Sequence, residues 1–466
     1  MARDRLGKET DYVCCEQVTG RAVQGELRLS DDRIEVRLVS FDDFFFIDRD
    51  TEHLPLRLED NSYTTMHNAF FGGPGSCSSR TETTHNQTIS TSTLIHGPDE
   101  WKPDDPIRHV TFELPRVKAF LRYDPKIKEL ESNSPRSEID TYAFAVELPG
   151  LTVRLGYRST VSMASERVRV EAPVFVIDFA QPRSIKTYLE DVQTIVRFVS
   201  SALGITMHPE DIRIRRVSDE EMRSSVETGD FLGDHSVTEM WFRKSHQDDG
   251  EACSYRAFAG LFDEEEMRAF CACLRLWIER DPEWARSNAL MIECLRLQRE
   301  ISAERMLAAC KWLEEVPTAK AVRVTDDRII KTIADAALQA ADELGQDRLK
   351  ARIPQALERL TLESHRERFE RLIARVADRF GPRVVHKDMP DHLIAAIRDF
   401  RGKVAHGHYE PKDDAESESF ARSIFAVEAL CLLLTCFDMP MTKDGLDRIK
   451  HHPLVEHYRL FTVKWA

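Results

Sequence analysis

Hydrophobic residues follow two different rhythms along this chain. In residues 1–262, short runs rich in Val, Leu, Phe and Thr show partial apolar–polar alternation, the period-2 signature of half-buried strands. Gly25 to Phe46, Val110 to Tyr123, Thr141 to Tyr157 and Val168 to Phe179 read this way, and turn signals such as Pro149-Gly150 separate them. Phe71 to Pro98 carries Gly72, Gly73, Pro74 and Gly75 and then many Ser and Thr, which predicts a long loop followed by an edge strand. One helix interrupts this half, over Arg183 to Ala202. It puts Ile185, Leu189, Val192, Ile195, Val196 and Val199 on one stripe, with Gly204 as its stop. Strand-like Ile212 to Val217 then resumes. The pattern predicts a sandwich-like or α+β domain over residues 1–262.

Beyond Phe262 the period lengthens to 3.6. Asp263-x-x-Glu266 is a capping-box pattern that opens a helix over Met267 to Arg280. A second helix is expected after Asp281-Pro282, with proline in its first turn. Ala303 to Val316, Asp326 to Leu344, Ile353 to Phe380, Pro390 to Ala405 and Glu416 to Phe437 repeat the pattern, with Gly345 and Gly381 as C-caps. Long amphipathic helices joined by short loops predict an all-α bundle over residues 263–466. The fold class is therefore α+β and multidomain, a β-rich N-terminal region followed by a helical bundle.

Composition narrows the function classes. With 42% hydrophobic and 31% charged residues, the chain has the make-up of a soluble globular protein. No apolar run approaches the roughly 20 residues of a membrane span; Ala426 to Phe437 is interrupted by Glu428 and Thr435. The opening MARDRLGKETDYV lacks the apolar stretch of a signal peptide, so a cytoplasmic protein with no membrane partner is expected. The ten cysteines lack zinc-ribbon or finger spacing, and Cys271, Cys273, Cys294 and Cys310 fall on helical segments where cysteine packs as a small hydrophobe. Neither a metal site nor a cofactor is expected. A net charge of −15 argues against coating nucleic acid through bulk electrostatics but leaves room for a locally basic cleft. The glycines at 72–75 precede neither Gly-Lys-Ser/Thr nor a helix, so they are not read as a phosphate loop. His53, His67, His85, His96 and His109 are scattered, and surface or turn positions are the default reading for each.

The chemistry concentrates in Ile397 to Glu410, IRDFRGKVAHGHYE. Arg401 and His406 bracket four residues at the end of a bundle helix, and Gly407 follows as a left-handed cap. The helix dipole favours a protonated histidine there, while Arg401 supplies a permanent, bidentate phosphate ligand. A histidine titrating near neutrality can take the proton of a ribose 2′-hydroxyl or protonate a leaving 5′-oxygen, and an arginine can stabilise the phosphorane-like transition state between them. One bundle holds one such pair; a symmetric dimer would bring two pairs to one cleft. Spacing alone is weak, since a surface arginine and a capping histidine fall five positions apart by chance.

The string RGKVAHG, before a last long apolar helix, resembles the R-x4-6-H signature of HEPN domains. The whole layout resembles the ApeA-like anti-phage proteins, in which a β-rich N-terminal domain precedes a C-terminal HEPN domain. The resemblance implies a dimeric (or higher-order) helical bundle with metal-independent endoribonuclease activity leaving 2′,3′-cyclic phosphate ends. It also implies an abortive-infection role, with cellular RNA (tRNA the candidate class) as substrate and a phage-derived protein as a candidate trigger sensed by the N-terminal half. Arg401 and His406 carry the catalytic roles in this reading. One departure matters: the family usually places a polar residue after the arginine, and here that residue is Gly402. Asp399 or Lys403 could take over its orienting task, Arg398 could extend a basic strip, and His408 satisfies the looser spacing as an alternative or second phosphate ligand. The alternative function is an inactive HEPN module that binds RNA or a protein partner. Tyr409 is read as packing beside the helix end, Glu428 as a structural hydrogen-bonding group, and His451, His452 and His457 as surface residues.

Overall fold

The computed structural model describes residues 11–15, 23–30, 33–41, 47, 53–72, 75–78, 83–102, 104–132, 142–162, 167–228, 238–242, 257–359, 361–407, 409 and 411–463. The chain divides into two compact units, Met1–Val196 with Met207–Ala252, and Arg197–Thr206 with Cys253–Ala466. The class is α+β, with a β-rich N-terminal region and an all-helical C-terminal region.

In the first unit the strands are β1 (Asp11–Cys15), β2 (Val23–Ser30), β3 (Arg33–Phe41), β4 (His53–Leu58), β5 (Tyr63–His67), β6 (Phe70–Phe71), β7 (Gly75–Ser78), β8 (Thr83–Thr91), β9 (Thr93–Gly97), β10 (Ile107–Glu113), β11 (Tyr142–Leu148), β12 (Leu151–Ser162), β13 (Arg167–Arg183), β14 (Glu210–Arg215) and β15 (Thr238–Phe242). They form one hydrogen-bonded path, β11-β12-β13-β10-β14-β15-β9-β5-β4-β1-β2-β3-β8-β6, with β7 also on β8. Alternation decides what each strand buries. In β4, Leu54, Leu56 and Leu58 point inward between half-buried neighbours, and they join Leu27, Val36, Leu38, Met66, Ile89 and Leu94 in one apolar cluster.

The Ser/Thr-rich segment departs from expectation. In place of a long loop and an edge strand, β8 is paired on both sides, by β3 and by β6 and β7, and β9 lies between β15 and β5. Its buried polar residues find partners: Gln87 accepts from the Ile47 amide at 3.0 Å, and the Thr91 hydroxyl donates to the Thr93 carbonyl at 3.0 Å. Threonine is a good strand former once its hydroxyl has a partner. Two short helices also escape the hydrophobic pattern, α1 (Asp124–Ser132) and α3 (Asp219–Thr228). The expected helix is α2 (Ile185–Leu203). Two of the scattered histidines are not at the surface, because His67 and His109 are 2% and 4% exposed.

The second unit contains α4 (Glu264–Arg296), α5 (Ala303–Glu315), α6 (Asp327–Glu343), α7 (Asp347–Lys350), α8 (Arg352–Arg359), α9 (His365–Phe380), α10 (Met389–Ala395), a π-helical turn (Ala396–Phe400), α11 (Arg401–Ala405), α12 (Asp414–Thr435), α13 (Lys443–Arg448) and α14 (Pro453–Val463). The capping pattern works as expected, with Asp263 Oδ1 accepting from the Glu266 amide at 2.8 Å. Two boundaries differ. The helix does not restart at Pro282 but runs through it; Trp277, Trp284 and Met291 on both sides are buried, and that burial outweighs the lost backbone bond. The segment expected as one helix over Ile353 to Phe380 breaks before His365, where Ser364 and Glu367 form a reciprocal capping box. α12 is buried on all faces from Phe420 to Thr435, with only Arg422 half-buried, as expected of a helix at the centre of a bundle.

Glu428 sits inside α12 and forms a fork with Arg305 of α5, at 2.8 and 2.7 Å. Arg305 spends its remaining donors on the Gln298 and Glu300 carbonyls at 2.8 and 2.9 Å. The pair is structural. His452 is a correction: instead of lying on the surface it is fully buried, with Nε2 2.9 Å from the Ser201 carbonyl and Nδ1 accepting from the Leu454 amide. Cys273, Cys294, Cys310, Cys431 and Cys436 are buried and Cys271 half-buried, and burial pushes the Cys273 and Cys310 thiols up to about 12.

Candidate functional site

Met389, Leu393, Ala396, Phe400 and Val404 recur at spacings of three and four, and all are buried. They fix the inner face of the helix that carries the motif, so Arg398, Asp399, Gly402 and Lys403 fall on its exposed side. The register is not uniform. Before Arg401 the helix widens into a π turn, in which the Arg401 amide reaches back to the Ala396 carbonyl. Such turns cluster at functional sites.

The helix ends as the sequence suggests. His406 is the C-cap, its amide bonded to the Gly402 carbonyl at 3.3 Å, and Gly407 takes a left-handed φ of 71°, which costs a glycine little. The His406 side chain is exposed and has no hydrogen-bond partner among the described residues. Phe400, Tyr409 and Phe420 then hold the following loop. Tyr409 stacks on Phe420 with ring centroids 4.3 Å apart, and Phe400 meets both rings edge-on. Tyr409 therefore packs, as expected. His408 lies outside the described residues.

Arg401 is not idle. Its guanidinium makes a fork to Glu314 at the end of α5, with Nη2 to Oε2 at 3.1 Å. Both side chains are exposed, 41% and 42%, so water screens the pair and a stronger anion can displace the carboxylate. Lys403 reaches Glu416 at 3.3 Å, which ties it to the first turn of α12. Arg398 and Asp399 are exposed without side-chain partners among the described residues. Arg401 and His406 are neighbours on one short helix but make no direct hydrogen bond. Glu314 escapes a reading of the sequence, because its partner lies 87 positions away and no local pattern joins them.

A family model described as ApeA N-terminal domain 1 matches residues 18–277. The chain belongs to this ApeA family. No curated protein and no solved structure matches it. Membership supports a part in anti-phage defence for this ApeA-family chain. The matched span covers the β-rich region from β2 onward and extends into α4, so the Arg401 segment lies beyond it. No helix among the described residues is long and apolar enough to cross a membrane.

Proposed function

We propose that this ApeA-family chain is an anti-phage effector whose helical unit is a HEPN-type, metal-independent endoribonuclease. The observation that carries the reading is an exposed His406, unpartnered among the described residues, at a glycine-capped helix end, five positions from an arginine that those residues hold through a displaceable carboxylate. A phosphate of RNA would replace Glu314 on the Arg401 fork. The 2′-oxygen then attacks phosphorus, the P–O5′ bond breaks, and a 2′,3′-cyclic phosphate and a 5′-hydroxyl form. One histidine removes the 2′-hydroxyl proton and another delivers a proton to O5′. Each chain offers His406, with His408 as the alternative, for one of these roles, so a second copy completes the acid–base pair. The cleaved RNA would be cellular, with tRNA the first class to assay, and a phage protein acting on the β-rich region would be the trigger.

The test is cleavage of total RNA by the purified full chain in chelator, with end-group analysis. His406→Ala and Arg401→Ala should each lower the rate by about 10²–10⁴-fold, the usual worth of a general acid–base group, without altering the fold. Unchanged cleavage in both variants would overturn the assignment. Gly402 favours a second reading, a non-catalytic HEPN module that binds RNA or protein. The space around its Cα is open, so the polar side chain common at this position is absent by sequence and not by crowding. RNA that stays intact under every activating condition, yet is bound with the Arg401 fork required, supports that module.

A further inference from the structure

The first unit contains a polar cleft with a volume of about 280 Å³ that no part of the nuclease reading uses. It lies on the face of five neighbouring strands, β11, β12, β13, β10 and β14. Register fixes its lattice. His109 stands beside Asp178 on one side and Arg215 on the other, Thr111 beside Val176 and Arg213, and Gly156 between Tyr142 and Val174. Alternation along β10 points His109, Thr111 and Glu113 to this face, while Val110 and Phe112 are fully buried on the other.

Two layers of charge differ in how firmly they are held. The back wall is a closed network. His109 Nδ1 is 2.7 Å from Asp178 Oδ1, Arg154 also binds Asp178, and the amide of Asp219 donates to it at 3.3 Å. Asp219 in turn accepts from the Tyr142 hydroxyl at 3.0 Å and from Arg215 at 2.8 Å. Burial alone would raise the Asp178 carboxyl, but the His109 hydrogen bond and charge and the Arg154 charge hold it below the usual range. Burial, followed by the Asp219 charge, pushes the Tyr142 hydroxyl up to about 12, so it remains a donor.

The rim is looser. Arg158 divides itself between Glu113 at 2.8 Å and Asp211 at 2.6 Å, and Arg213 also serves Asp211 at 3.1 Å. Both arginines are 40% exposed, while the Glu113 side chain is only 7% exposed. Burial raises the Glu113 pKa in spite of Arg158. A bare anion that takes Arg158 leaves the buried Glu113 with Lys118, 3.9 Å away, as its remaining cation. A bare cation on Glu113 displaces Arg158 onto Asp211 and Glu171. Either exchange weakens a pairing that the cleft already holds, which is costly where the carboxylate is desolvated. A molecule carrying both kinds of group replaces one internal pair by two ligand pairs. It could also use the Thr111 hydroxyl and His109 Nε2, the ring nitrogen that Asp178 leaves available.

We propose that this cleft binds an amphoteric small molecule, its anionic group on Arg158 and Arg213 and its donor-rich or cationic group on Glu113 and Asp211. Two sources share that chemistry: a mononucleotide, through its phosphate and base edge, and a free amino acid, through its carboxylate and ammonium. The volume accommodates a metabolite of either kind, at the small end of ligand sites. The proposal stands apart from the nuclease reading, since every residue in it belongs to the β-rich unit.

The test is titration calorimetry on the full chain with the four ribonucleoside monophosphates, with arginine, glutamate and glutamine, and with inorganic phosphate and spermidine as controls carrying charge of one sign only. We expect one amphoteric class to bind, and the class identifies the source. Glu113→Gln and Arg158→Gln should each weaken it at least tenfold, with Asp211→Asn as the rim variant if either fails to fold. Full-strength binding in folded rim variants overturns the proposal. So does binding of phosphate or spermidine as tight as that of any amphoteric probe, or no binding by any probe at millimolar concentration.

Discussion

The helical unit contains the same ion-pair chemistry twice, in opposite settings. Arg305 and Glu428 meet at 1% and 0% exposure, and Arg401 and Glu314 meet at 41% and 42%. Both are arginine–carboxylate forks, and both use a carboxylate far away in sequence. In the first, every donor that points inward has an acceptor and no solvent can replace either partner, so the pair locks α5 to α12. In the second, water competes for both ends and the fork holds a side chain in place without committing it. Burial, not pairing, separates a rivet from a binding group. Histidine shows the same contrast. His67 is buried against His53, and burial followed by the His53 charge holds its pKa down to about 3. His406 is exposed, with neither ring nitrogen bonded among the described residues.

The largest effect should come from breaking the buried fork. Arg305→Ala or Glu428→Ala leaves one uncompensated buried charge and should cost about 3–5 kcal/mol, read as a lower urea midpoint for the helical unit. Replacing both with apolar residues of similar volume should recover most of that loss. Acid should act next, through His67. Its folded pKa lies below the unfolded value, so the stability contributed by the neutral ring is complete above about pH 6.5 and is lost as the pH falls toward 3, on the order of 1.4 kcal/mol per pH unit. Urea unfolding at pH 7 and pH 5 should show this loss in the β-rich unit, and His67→Gln should flatten it.

Breaking the exposed fork should do little to stability. Glu314→Gln should change it by less than about 1 kcal/mol. It should instead tighten binding of a single-stranded RNA oligonucleotide, by about fivefold at most, the same free energy expressed as an affinity. A large stability loss in Glu314→Gln with no gain in RNA affinity would erase the contrast between the two forks. The smallest effect belongs to Gly402. Open space around it means Gly402→Ala should stabilise by about 0.5–1 kcal/mol through helix propensity alone. Gly402→Asn should add an increase in cleavage rate if an orienting side chain is what this site lacks.

Periodicity carries much of the fold. The 3.6-residue rhythm locates α2, α5, α6 and α12, and the glycine cap is visible as Ala-His-Gly. The features that escape it are set by distant partners. β8 looks like loop because the partners of its buried polar groups are distant, Gln87 bonding Ile47 40 positions away and Thr91 bonding His67 24 positions away. Pro282 looks like a helix start because the tryptophan burial on both sides is invisible locally. The Ser364–Glu367 capping box, by contrast, stands in the sequence but is masked by the longer periodic run around it. Of the candidate site, Arg401 and His406 are legible from motif spacing, and Glu314 is not. The cleft around His109 is hidden for a plainer reason: its charges come from four strands and the start of α3, and none of them repeats at a recognisable interval.

The π turn before Arg401 carries one more consequence. A five-residue turn is the shape a helix adopts when a residue is inserted into one of its ordinary turns, and each residue rotates the remainder of the helix by about 100° around the axis. The turn absorbs that extra residue, so deleting one from Ala396–Phe400 would restore ordinary winding and leave Arg401 and His406 on the same side of the helix. Winding all five residues as α-helix would instead swing the pair together, away from Glu314.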